Sequence, residues 1–139
     1  MISIGFFGCK RDQVVNCSWE EACDRFPLTG FTFPDASALA SLSEVLTGSR
    51  LFSADPVPCS TEAFHELGGS LQAALRRATT EDLMDAGARW ALLVPWKALD
   101  ANPMDLAGFL LHLQSLVHGA DREENAIFLL LESGSLPVS

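Results

Sequence analysis

The chain has 139 residues, 48% of them hydrophobic and 19% charged, with 18 acidic residues against 9 basic ones and a formal net charge of -9. That length suits one domain, 1–139, whose core needs no staple, and the apolar content excludes a disordered chain. The acid excess speaks against a phosphate-binding surface, because the local basic pairs Lys10-Arg11 and Arg76-Arg77 do not make the stripe with which a nucleic-acid binder displaces counterions.

The first residues, ISIGFF, place Ile2, Ile4 and Phe6 at alternating positions, which predicts a strand with one buried face that ends at Gly8. Ser18 before Trp19, Glu20 and Glu21 supplies a capping hydroxyl and acids suited to a helix N-terminus, so a short helix runs to Arg25 and stops at Pro27. The segment TGFTFPD predicts a brief strand through Phe31 and Phe33. Asp35 then caps a helix with an apolar face of Leu39, Leu42 and Leu46, ended by Gly48. The two prolines and irregular pattern of 49–59 read as a loop.

Ser60 or Thr61 is expected to cap the next helix, in which Phe64, Leu67, Leu71, Ala74, Leu75 and Ala78 recur at helical spacing, with Gly68-Gly69 a weak point. Thr80, Glu81 and Asp82 open a further helix whose inner face carries Leu83, Ala86, Gly87 and Trp90. Residues 90–94 read equally as its end or as a buried strand, and Pro95 closes either. Asn102 as cap, Pro103 in the first turn and Gly119 as stop define the clearest helix, 103–118, with Leu106, Phe109, Leu110, Leu113, Leu116 and Val117 inward. After the polar turn DREEN, the run AIFLLL predicts a buried strand and 132–139 a frayed tail. The pattern as a whole predicts an α+β fold, mostly helical, with a small sheet formed by the N-terminal and C-terminal strands.

Chemistry-bearing motifs are missing. There is no G-x-S-x-G, no H-E-x-x-H and no Gly-rich phosphate loop, so no catalytic residue and no cofactor are assigned. Cys9, Cys17, Cys23 and Cys59 have neither C-x-x-C spacing nor a paired histidine, and His112 and His118 lie about 240° apart around a helix, so no metal site is assigned either. The acids Glu81, Asp82 and Asp85 read as compensation of a helix dipole rather than as a cation site, and Asp121, Glu123 and Glu124 as a solvated turn. The opening residues lack the charged and apolar regions of a secretory signal, and no apolar run is long enough to span a bilayer, so a cytoplasmic protein without membrane contact is expected.

In size, acidity and lack of a catalytic motif, and in a C-terminal layout of Trp90, Pro95-Trp96, helix 103–118 and strand 126–131, the chain resembles small acidic immunity proteins that neutralise bacterial toxins delivered between cells. The resemblance implies a non-enzymatic inhibitor that covers the basic cleft of a toxin enzyme and touches no nucleic acid itself. Such a protein needs a stable scaffold and a negative surface, so the expected contacts are acids on adjoining helices, Glu62, Glu66, Glu81, Asp82 and Asp85, with Trp96 as a partly exposed aromatic anchor. The alternative is a small enzyme or ligand-binding domain in which Cys59, activated at a helix N-terminus, works with His65 beside the loop 49–59. A buried, inert cysteine accounts for Cys59 equally well.

Overall fold

The computed structural model describes residues 2–35, 37–52, 54–57, 64–93 and 96–131. The expected cap at Ser60 or Thr61, the end of the 90–94 run at Val94, the stop at Pro95 and the tail 132–139 lie outside these residues. In chain order the elements are β1 (Ile2–Cys9), α1 (Arg11–Val14), α2 (Trp19–Arg25), β2 (Leu28–Phe33), α3 (Ser37–Thr47), β3 (Ala54–Pro56), β4 (His65–Leu67), α4 (Gly69–Arg77), α5 (Thr80–Ala91), a 3-10 turn (Trp96–Leu99), α6 (Pro103–Glu123) and β5 (Ala126–Leu131).

The strands form one antiparallel sheet in the order β2-β1-β5-β4-β3. As expected of an α+β fold of this kind, the terminal strands are neighbours, with Gly5 opposite Leu130 and Cys9 opposite Ala126. Both are apolar at nearly every position because both faces of the sheet are covered. Ile4, Phe6, Ile127 and Leu129 pack under α3, α4, α5 and α6, whereas Phe7, Cys9, Ala126, Phe128 and Leu130 pack with Val14 of α1 and Ala22 of α2. The molecule is thus three layers, two short helices, a sheet and four longer helices. Gly5 is required in β1, because a Cβ there would overlap the Trp19 ring that lies across it.

Several boundaries differ from the sequence expectation. Gly8 does not end β1; it faces Ile127 and the strand runs on to Cys9. The loop 49–59 contains β3, and the segment read as the start of a helix contains β4, so that helix begins only at Gly69. The reason lies in the period. Phe64 and Leu67, three apart, share a helical face, but in extended chain they point to opposite sides, and here Phe64 joins the α1–α2 side and Leu67 the other. A sheet buried on both faces satisfies both residues without a helix.

Gly119 likewise does not stop α6. The helix continues to Glu123 because Ala120 is buried in the core, and it ends where Glu124 adopts a left-handed φ of 56°. Residues 90 and 91 belong to α5, and the helix is capped at Leu92. Among the described residues no helix is long and apolar enough to cross a membrane.

Candidate functional site

The expected contact residues separate into three places. Glu81, Asp82 and Asp85 lie together on the first turns of α5, where Thr79 and Asp82 close a reciprocal cap: the Asp82 N–H donates to Thr79 Oγ1 at 3.0 Å and the Thr79 N–H donates to Asp82 Oδ2 at 2.9 Å. Asp82 is therefore committed to holding the helix start. Asp85 accepts from Arg89 Nε at 3.0 Å one turn on, and Glu81 is exposed. Beside them a groove of 290 Å³ runs between α3, α4 and α5, with Asp82, Asp85, Arg77 and Arg89 over an apolar floor that includes Leu46 and Leu83.

Glu66 does not join that surface. On β4 it stands opposite Phe128, on the α1 side of the sheet, and accepts two hydrogen bonds from Arg11, Nε to Oε1 at 2.8 Å and Nη2 to Oε2 at 2.9 Å. This fork lies at an apolar cleft of 620 Å³ lined by Val14, Val15, Pro56, Val57 and Phe128. Glu62 lies outside the described residues. The sheet separates Glu66 from α5, so the idea of one acidic face made by adjoining helices is corrected: its helical premise failed when 65–67 became a strand.

Trp96 is corrected as well. It is only 7% exposed, with its ring edge-on to Trp90 at 5.6 Å and in contact with Phe31 and Phe33 at 5.9 and 6.0 Å. Position after a proline suggested a surface aromatic, but the 3-10 turn folds the ring into a cluster with Trp90, Phe33 and Phe109, and such a cluster is worth more to the core than solvent contact. Its Nε1, like Nδ1 of His65, is buried and has no hydrogen-bond partner among the described residues.

Cys59 lies outside the described residues, while His65 stands on β4 and not on a helix, so the expected arrangement of His65 one to two turns into a helix is absent. Cys9 and Cys17 are buried, and burial, reinforced by Cys17 and Asp12, pushes the Cys9 thiol up to about 12, far from a thiolate at neutral pH. Cys23 is exposed. Among the described residues no group of three histidine, cysteine or acidic side chains is placed to hold a metal ion.

The features that sequence reasoning missed are the Arg11–Glu66 fork and the apolar cleft beside it. Arg11 sits 55 residues from Glu66, and only the sheet order brings α1 to β4. The adjacent apolar pair Val14-Val15 in an otherwise polar stretch was the one local hint. No family model matches the chain, and no curated protein or solved structure shows significant similarity to it.

Proposed function

We infer that the chain is a non-enzymatic protein-binding module, an inhibitor of the immunity type that covers the basic cleft of a toxin enzyme. The observation that carries this reading is the charge balance at the surface. Arg11, Arg25, Arg50, Arg76 and Arg89 are each engaged by a carboxylate of the same chain. Half of the 18 acids have no cation in the chain to offset them, since the bases number 9. The molecule thus carries a negative field that attracts a basic partner and accelerates its encounter. Within that field the N-terminal turns of α5 offer Glu81 and Asp85 on a rigid helix beside a groove, and these two are the proposed contact acids; Asp82 holds the helix start beneath them.

The test is affinity capture from the native host with the tagged chain at low and high salt, followed by charge reversal. The reading expects one basic enzyme to be captured and inhibited, with binding weakened by salt. Glu81→Lys with Asp85→Lys should slow association about tenfold or more at low salt, with a smaller effect at high salt. Binding of that enzyme at an unchanged rate and salt dependence would remove α5 as the contact surface, and capture of no basic protein would sink the reading itself.

A further inference from the structure

The two edges of the sheet are treated differently. At one edge, β3 is three residues long and carries Asp55 and Pro56, a charge and an imino acid of the kind that protect an edge from further pairing. At the other edge, β2 runs for six residues, Leu-Thr-Gly-Phe-Thr-Phe, with no charge and no proline, in a chain that is 19% charged. It pairs residue for residue with β1, from Ile2 opposite Phe33 to Phe7 opposite Leu28, so no bulge twists it away.

The direction of its backbone groups follows from the register. The Gly8 N–H donates to the Pro27 carbonyl at 3.3 Å, in step with the β1–β2 pairing. In an antiparallel ladder the N–H and C=O of one residue point to the same side and alternate along the strand. Hence Thr29, Phe31 and Phe33 turn theirs to β1, while Leu28, Gly30 and Thr32 turn theirs outward, and among the described residues nothing bonds to those outward groups. The same three residues are exposed, Leu28 to 43%.

We propose that β2 is the contact strand of a two-fold symmetric dimer, in which the β2 strands of two copies of this chain pair antiparallel about a dyad at Gly30 and join the two sheets into one. An antiparallel strand pair is self-complementary, so a single patch supplies both halves of a closed interface. The register centred on Gly30 uses every outward group: Leu28 faces Thr32 of the second copy, and Gly30 faces its own counterpart, where two larger side chains would crowd. On the α6 side Phe31, stacked on Phe109 at 4.8 Å, comes opposite Thr29 of the second copy. Thr29 borders a groove of 410 Å³ with Leu28, His112, Ser115 and Leu116, which receives the edge of that ring. Because each copy carries a charge of -9, salt strengthens this dimer, whereas it weakens the grip on a basic partner. The two readings therefore stand or fall separately.

Sedimentation of the full chain across a concentration series, at low and high salt, tests the proposal together with amide hydrogen exchange. The expected result is a species of twice 15.0 kDa, favoured by salt, with slow exchange at Leu28, Gly30 and Thr32. Thr32→Pro removes an outward N–H without touching the β1 ladder, and Gly30→Lys sets two like charges against each other at the dyad. The monomer accommodates the second change, since a Cβ at Gly30 meets only the Ile4 carbonyl at 3.4 Å and Gly5 Cα at 3.9 Å. Both variants should be monomeric with an unaltered circular dichroism spectrum, Thr32→Val should remain dimeric, and if Thr32→Pro fails to fold, Gly30→Lys decides. A monomer at every concentration overturns the proposal, as does a dimer that survives Gly30→Lys, or one whose three amides exchange fast. Protection of those amides only on adding a different protein would give the edge to another partner and overturn the dimer.

Discussion

Gly87 of α5 lies against the backbone of Ala107 of α6 so closely that a Cβ on Gly87 would stand 2.8 Å from the N, Cα and Cβ of Ala107. The two helices bury their shared face at this point, and the absent side chain sets how near they come. In a solvent-exposed helix Gly→Ala gains about 1 kcal/mol of propensity. Here overpacking against immovable backbone, about 1–3 kcal/mol, outweighs that gain. Gly87→Ala is therefore expected to lower the thermal midpoint, by up to roughly 8 °C, in a calorimetric scan. A midpoint equal to or above that of the native chain would mean that the helices separate without cost.

Ser41 and Trp90 meet in the core, where the indole N–H donates to Ser41 Oγ at 2.8 Å and the hydroxyl in turn donates to the Ala38 carbonyl at 3.0 Å. Ser41 is fully buried, so removing its oxygen leaves the Trp90 N–H with no solvent to turn to. Ser41→Ala is expected to cost about 1–3 kcal/mol in urea unfolding, more than the hydrogen bond itself is worth, because the orphaned donor keeps its desolvation penalty. Trp90→Phe in the Ser41→Ala background should cost less than Trp90→Phe alone, since donor and acceptor then leave together.

Asp121, in the last turn of α6, accepts from Arg76 of α4 through Nε to Oδ2 at 2.6 Å and Nη2 to Oδ1 at 2.9 Å. The hydrogen bonds from the Arg76 guanidinium hold its carboxyl below the usual range. A depressed folded value means that the stabilisation is complete above the unfolded pKa of about 4 and is lost as pH falls through the lower folded value. Asp121→Asn should flatten the stability profile below pH about 4 and cost at most about 1 kcal/mol at neutral pH, given the solvent around the pair. Equal acid sensitivity in the variant and native chains would assign the acid transition to other carboxylates.

The residues that were legible in the sequence act locally. Ser18, with its hydroxyl accepting from the Glu21 N–H, and Asn102, accepting from the Met104 N–H, do what their position beside an apolar-periodic run requires. The helix at Trp19–Arg25 therefore appears as expected, and so does the start of α6. The strand at Ala126–Leu131 was legible for another reason: a short unbroken apolar run must be covered on all sides. The candidate site was far less readable. Of its expected residues, Glu81, Asp82 and Asp85 share a helix start, because residues this near in sequence on one helix stay near in space, whereas Glu66 and Trp96 answer to partners elsewhere.

The caps, the terminal apolar strands and the surplus of negative charge follow from residue type and near neighbours alone. That 65–67 is a strand, that Trp96 is core and that Arg11 claims Glu66 depends instead on contacts between segments distant in the chain. Apolar residues three apart suit a helix with one buried face and a strand with two, and the choice depends on whether a second layer exists to cover the far side. Here α1 and α2 supply that layer.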